Sequence, residues 1–178
     1  MSTTTVGAEN TRAWGLALAL LGAAAAGLSC GRGADGASVA KTATSVTARA
    51  HRAVTEDLRR STAAWNRADL VAFVASYAED AVYVSPSGIT RGRAQVLARY
   101  VAKYGDRPDT MGTLSIDVLD VRPDQAPDGT LIGAGVVGRW QLTWRDRTPP
   151  EDTAQGHTLI VYRVDAEGRW RIVHDASM

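Results

Sequence analysis

The sequence predicts an α+β fold in which three helices pack on a strongly bent antiparallel sheet. Apolar residues recur at helical spacing up to about residue 110, and they alternate with a period of two after it. Connections that contain Gly and Asp, at 124–129 and 165–168, interrupt the alternation, which is typical of hairpins. Helices can bury their apolar faces only on the apolar side of that sheet. The expected fold is therefore a cone that is open at one end.

Three segments show the helical pattern. The first runs from about His51 to Asn66, and the second begins after Asp69, whose side chain can cap its first turn. The third helix follows Gly92 and ends at Gly105. A short strand is expected near Val82–Val84, between the second and third helices. The inward residues of the second helix are predicted to be Leu70, Phe73, Val74 and Tyr77.

The strands are predicted from their alternation. In the first long strand, Leu114, Ile116 and Val118 share one phase, whereas Leu119 and Val121 take the other, which indicates a bulge. In the later strands one face is expected to point inward. Its residues are Ile132, Ala134, Val136, Trp140, Leu142 and Trp144, then Thr158, Ile160, Tyr162 and Val164, then Trp170, Ile172 and His174.

The charge balance excludes one class of partner. The chain has 20 Lys and Arg against 19 Asp and Glu, so its formal net charge is +1, and the basic residues form no cluster. A nucleic-acid-binding protein needs a basic patch to neutralise phosphates. Nucleic acid is therefore not expected as a partner.

The first thirty residues differ from the rest. Trp14–Ser29 is apolar and uncharged, and it resembles the core of an export signal over residues 1–30. Cys30 follows directly and resembles the lipidated cysteine of a bacterial lipobox; the alternative is a simple signal cut near Ala24 or Ala26. Residues 31–49 are small and polar, so a flexible tether is expected before a domain at 50–178. The expected location is the bacterial cell envelope through a lipid anchor, or otherwise secretion or the periplasm, with no other membrane contact.

Two segments carry a family resemblance. The first is residues 76–104, with the Ser85-Pro86-Ser87-Gly88 turn before a helix, and the second is the ending at 168–175. Together they resemble the nuclear transport factor 2-like superfamily, in particular its SnoaL-like and ketosteroid-isomerase-like branch, over about residues 51–178. The resemblance implies a cone with a pocket and a homodimer that forms through the outer sheet face. It does not fix the chemistry, because the superfamily contains isomerases, dehydratases, cyclases and binding modules.

The resemblance also excludes one mechanism. Ketosteroid isomerases use an aspartate base and an oxyanion hole made of a tyrosine and a protonated aspartate. At the matching positions this chain has Ser85 for the base, Ile160 for the protonated aspartate and Ser61 near the tyrosine. A hydroxyl is no unassisted base at neutral pH, and isoleucine donates no hydrogen bond. Steroid isomerisation by that mechanism is therefore not expected. Members of the family often end in His-Asp-His, and in this chain Ala176 stands in place of the second histidine.

An aromatic-rich pocket is the candidate site. Its predicted members are Trp65, Tyr83, Ser85, Trp140, Tyr162 and His174. His174 is the candidate general acid/base; the alternative is a core histidine bonded to the backbone, because no carboxylate is placed to orient it. Ser85 can bind a ligand oxygen or simply bond its own turn. His157 is expected to face outward, so no metal site forms with His174.

No cofactor is predicted. Two matches to G-x-G-x-x-G occur, at 31–36 and 133–138, and neither joins a strand to a helix N-terminus as a dinucleotide site requires. Three functions remain open. They are a module that binds a small, largely apolar molecule, a cofactor-free isomerase or lyase that uses His174, and a homodimeric interaction module that uses the outer sheet face.

Overall fold

The computed structural model describes the backbone of residues 34–178 and the side chains of residues 45–178. The predicted export signal and Cys30 lie outside this range. The helices are α1 (Ala34–Trp65), α2 (Leu70–Phe73) and α3 (Arg93–Tyr104), with a short 3₁₀ helix at Pro108–Thr110. The strands are β1 (Tyr77–Ser85), β2 (Gly88–Arg91), β3 (Thr113–Gln125), β4 (Leu131–Thr143), β5 (Thr153–Val164) and β6 (Trp170–Ser177).

The six strands form one sheet in the order β2-β1-β6-β5-β4-β3. This confirms the predicted α+β class. Neighbouring strands are antiparallel except β1 and β6, which are parallel. The sheet is thus antiparallel as predicted except at this one pair, where β1 and β6 are far apart in sequence and no hairpin forces them to run in opposite directions.

Two helix boundaries differ from the predicted ones. Helix α1 begins at Ala34 rather than near His51, so residues from 34 onward that were predicted as tether are helical. Val46 and Ala50 are buried, and with Val54 they continue one helical face at a spacing of four. Helix α2 ends at Phe73, and Tyr77 lies on strand β1 instead. Small residues in 34–49 concealed the helical face, because alanine contributes little to an apolar pattern.

The core lies between the helices and one face of the sheet. Helix α1 packs against β3 and β4, and α3 packs against β1. The most deeply buried large side chains are Val54, Val74, Val96, Val136 and Tyr162. Inward alternation on β4 and β5 is as predicted, with Ala134, Val136, Ile160 and Tyr162 buried. Trp144 lies just beyond β4, half-buried, and donates from Nε1 to the carbonyl oxygen of Thr110 at 2.9 Å.

The predicted bulge in β3 is confirmed at Leu119. Val118 pairs with Gly138 and Asp120 pairs with Val137, which leaves Leu119 without a partner and 52% exposed. Val121 then returns to the buried face. A bulge inserts one residue and so resets the alternation of the strand.

A second bulge, which was not predicted, lies in β6. Tyr162 pairs with Ile172 while Val161 pairs with His174, so Val173 has no partner in β5. The alternation of β6 therefore changes phase after Ile172. Asp175 becomes buried and His174 becomes exposed. No helix within 34–178 is long and apolar enough to cross a membrane.

Candidate functional site

A cavity of about 520 Å³ lies between the helices and the inner face of the sheet. Its walls are mainly apolar and aromatic, and they come from all three α-helices and from five strands. Cavities of this size accommodate small organic molecules. The apolar wall residues include Leu58, Phe73, Leu114, Ile116, Leu142 and Ile172.

Among the described residues that line this cavity, one carries a carboxyl group. Asp175 is 8% exposed, and its two oxygens each accept a hydrogen bond. Tyr77 donates its hydroxyl to Oδ2 at 2.5 Å, and Thr158 donates its hydroxyl to Oδ1 at 2.6 Å. All three residues line the cavity. The bulge in β6 directs the carboxyl inward, and β1 and β5, on either side of β6, supply its two donors.

Burial raises the pKa of Asp175, and the hydrogen bonds from Thr158 and Tyr77 act in the opposite direction. Burial also raises the pKa of Tyr77 well above its usual value, with a further contribution from the nearby Asp175 charge. A raised carboxyl pKa brings the proton-donating and proton-accepting forms closer together in population near neutral pH. Asp175 is thus suited to bind a polar group of a ligand or to exchange a proton with it.

Aromatic rings form another part of the wall. Trp65 makes edge-to-face contacts with Phe73, Tyr100 and Tyr104, with ring centroids 5.0–5.7 Å apart. The Trp65 indole N–H donates to the carbonyl oxygen of Gly112 at 2.8 Å, which fixes the ring. Burial raises the pKa of Tyr100 well above its usual value, so its hydroxyl stays protonated.

Three of the six predicted pocket residues line the cavity. They are Trp65, Tyr83 and Trp140. Tyr162 does not line it, because its ring is fully buried and its hydroxyl donates to Asp57 Oδ2 at 3.1 Å. Ser85 does not line it either, and its hydroxyl instead accepts a hydrogen bond from Arg99 at 3.2 Å.

The sequence prediction placed His174 on the wrong side of the sheet. It is exposed on the outer face, where its neighbours in the sheet are Val161 of β5 and Val82 of β1. The bulge at Val173 causes this, because strict alternation from Trp170 would have turned His174 inward. His174 therefore cannot act on a molecule in the cavity. His157 is exposed, as predicted.

The sequence prediction missed Asp175, and it placed Tyr77 inward without naming it as a pocket residue. Asp175 pairs directly with Ile160, the position that matched the protonated aspartate of ketosteroid isomerases. The carboxyl is therefore present one strand away from its expected place. One feature of the sequence could have indicated this carboxyl. His174 and Asp175 are adjacent ionisable residues at the end of an apolar strand, so whichever way the strand alternates, one of the two side chains points inward.

A second buried carboxyl, Asp57, has a different setting. Ser76 donates to its Oδ1 at 2.6 Å, Arg60 donates to the same oxygen at 3.1 Å, and Tyr162 donates to Oδ2. This network joins α1 to β5 and to the residue before β1, away from the cavity lining. Across residues 45–178 no group of three or more His, Cys, Asp or Glu side chains is arranged to hold a metal ion.

Comparison with known proteins gives a family match and several similar folds. The model of the SnoaL-like domain family matches residues 58–173. An NTF-2 like protein of unknown function from Shewanella oneidensis MR-1 is 26% identical, with 71% of this chain and 97% of that chain covered and a TM-score of 0.61. No curated protein matches the chain.

Two further structures share the fold at lower identity. A ketosteroid isomerase-like protein from Erwinia carotovora atroseptica SCRI1043 is 17% identical, with 71% and 92% coverage and a TM-score of 0.53. ActVI-ORFA from Streptomyces coelicolor is 16% identical, with 72% and 95% coverage and a TM-score of 0.54. Both agree with the α+β architecture described above.

Proposed function

The chain belongs to the SnoaL-like domain family, as the sequence resemblance indicated, and we propose that it binds a small, largely apolar molecule in the cavity. The observation that carries the proposal is the cavity of about 520 Å³, whose wall is apolar except for a few polar groups. A pocket of this kind binds through apolar burial and orients its ligand through the polar groups. Asp175 and Tyr77 are the groups whose remaining lone pairs would accept a hydrogen bond from a hydroxyl of the ligand.

A fluorescence titration with phenylnaphthylamine, a neutral aromatic probe, tests this proposal. The wild-type protein is expected to bind one probe per chain. Ile116→Trp fills the cavity that Ile116 lines and should abolish binding. Val137→Trp, on the exposed outer face, is the matched control and should leave binding unchanged. Absence of saturable binding to the wild type, or unchanged binding to an Ile116→Trp protein that keeps its melting temperature, would overturn the proposal.

A second candidate function is proton transfer on the bound molecule, as in a cofactor-free isomerase or lyase. The observation that favours it is the buried Asp175 carboxyl in the cavity wall, with its raised pKa. In this proposal Asp175 takes the general acid/base role that the sequence had suggested for His174. Tyr77 would hold the carboxyl in position through its hydrogen bond.

Hydrogen exchange at the acidic carbon of a bicyclic ketone, α-tetralone, tests the proton-transfer proposal. In deuterated buffer the wild-type protein is expected to accelerate loss of the α-proton signal, and Asp175→Asn should return the rate to that of buffer. His174→Ala is the control, since His174 faces away from the cavity, and it should exchange at the wild-type rate. A wild-type rate equal to the buffer rate would remove this candidate function.

A homodimer through the outer sheet face is a third proposal. Val137 and Leu159 are paired across β4 and β5, and both are exposed, at 37% and 48%. Exposed apolar residues in a continuous sheet face, with Arg139 and Arg163 beside them, have the composition of an interface. Sedimentation of the purified protein over a range of concentrations tests it.

Export is proposed from the sequence of residues 1–30. The apolar segment Trp14–Ser29 supports an export signal, and Cys30 after it supports lipid attachment. Mass spectrometry of the protein recovered from a bacterial cell envelope tests both signal cleavage and lipid attachment. A chain that begins at a lipidated Cys30 is expected, whereas an unprocessed cytoplasmic chain would contradict the proposal.

A further inference from the structure

The entrance of the cavity is basic. Among the residues that line the cavity, the exposed ones are Arg99, Ala102 and Lys103, all on α3. Arg99 and Lys103 are four residues apart, so they lie on the same side of the helix. We call these two side chains the basic rim. Helix α3 contains no acidic residue that would pair with them.

The guanidinium of Arg99 is held in place by hydrogen bonds that involve only some of its N–H donors. Its Nη2 donates to the hydroxyls of Ser87 and Ser85 at 2.8 and 3.2 Å. Its Cζ lies 5.5 Å from the centre of the Tyr83 ring, which is part of the cavity wall. The Nε and Nη1 donors have no partner within the side chains and backbone of residues 45–178. An ordered guanidinium with free donors is suited to bind an oxyanion.

Lys103 gives the rim a second cation. Its Nζ lies 5.0 Å from the centre of the Tyr104 ring, another wall residue. Within the described part of the chain, neither Lys103 nor Arg99 has a carboxylate within ion-pair distance, whereas Arg139 and Arg169 do. Asp175, the one acidic residue of the described cavity lining, is buried and lies beyond ion-pair distance of both cations. Two cations at the entrance therefore lack a counter-charge.

We infer that the cavity takes an amphipathic anion, with an apolar ring system inside and a carboxylate, sulfate or phosphate group at Arg99 and Lys103. The inference rests on the proposed binding function and adds the chemical class of the ligand. Apolar burial supplies affinity for the body of the molecule. The basic rim fixes which end of the molecule stays at the entrance and favours anions over neutral analogues. Ser85 has a positioning role, because it holds Arg99 at the rim.

A matched pair of probes tests the inference. Phenylnaphthylamine and anilinonaphthalene sulfonate share one ring skeleton, and the second adds a single anionic group. The wild type is expected to bind the sulfonate more tightly. Arg99→Gln combined with Lys103→Gln should weaken sulfonate binding about three- to ten-fold, the range for two exposed ion pairs, and leave the neutral probe within about two-fold. Higher salt should weaken sulfonate binding only.

Control variants separate the possible outcomes. Arg163→Gln removes an exposed arginine from the outer face and should change neither affinity. If the neutral probe binds and the double variant leaves the ratio of the two dissociation constants unchanged, the anion inference fails while the binding function stands. If neither probe binds a folded wild-type protein, both fail. A loss of sulfonate binding that Arg163→Gln reproduces would also overturn the role of the rim.

Discussion

Among single residues, Asp175 has a buried environment that makes the stability of the folded protein depend on pH. Its pKa is raised by burial, so the folded state holds the proton more tightly than the unfolded state does. The stability that this group contributes is therefore complete below the unfolded pKa of about 4 and is lost as the pH rises through the raised folded pKa.

Asp175→Asn should remove this dependence. One of the two donors, Tyr77 or Thr158, loses its acceptor in the variant, and that loss is the same at every pH. The free energy of unfolding of the variant minus that of the wild type should therefore rise from about pH 4 upward and then level off. Urea unfolding of both proteins from pH 4 to 8 measures it. A difference that is constant, or that falls with pH, contradicts the raised pKa.

Tyr77→Phe tests the hydrogen bond that holds the carboxyl. The variant removes the hydroxyl that donates to Asp175 at 2.5 Å, and the expected loss is about 1–3 kcal/mol in the free energy of unfolding. It should also raise the pKa of Asp175 further, because this hydrogen bond lowers it. Tyr104→Phe is the control, since the Tyr104 hydroxyl has no hydrogen-bond partner within residues 45–178. Equal losses from the two variants would show that the Tyr77 bond contributes nothing specific.

At the scale of elements, two of the three glycines of strand β4 have contrasting surroundings. A Cβ at Gly133 would lie 2.3 Å from the carbonyl oxygen of Tyr162, whereas a Cβ at Gly135 would have no atom within 4 Å. Gly133→Ala should lose about 1–3 kcal/mol through displacement of β5. Gly135→Ala, two residues along the same face, should gain about 0.5–1 kcal/mol, because alanine loses less entropy on folding. Thermal unfolding of the two proteins measures the contrast, and similar values for both would refute it.

Bulges also set the limit of what alternation could predict. The bulge at Leu119 was predictable, because apolar residues lie on both sides of it and show the change of phase directly. The bulge at Val173 was not, because Ile172, Val173 and His174 fit an unbroken alternation equally well. Its position depends on pairing with β5, which is a tertiary property. The fold class and three wall residues, Trp65, Tyr83 and Trp140, therefore followed from pattern, whereas the inward carboxyl did not.

At the scale of the whole molecule, the proposed dimer predicts a mutational contrast. Leu159→Glu places a charge in the outer-face pair with Val137 and should weaken self-association about ten-fold or more, through loss of apolar burial. Val71→Glu, on the exposed side of α2 at 67% exposure, is the control and should have no effect. Sedimentation velocity measures both. A wild-type protein that remains monomeric at high concentration, or equal effects of the two variants, would exclude this interface.

The place of β6 in the sheet affects how the chain matures during synthesis. This strand is the last in sequence, yet it lies between β1 and β5, and the Tyr77–Asp175 bond joins residues 98 positions apart. Until residues 170–177 have been made and released, β1 has no partner on the side opposite β2, and β5 has none on the side opposite β4. Contacts between distant segments form slowly, since their loops must close first. The chain therefore gains its buried Asp175 carboxyl and its complete sheet in one late step of folding, and the edges of β1 and β5 stay unpaired until then.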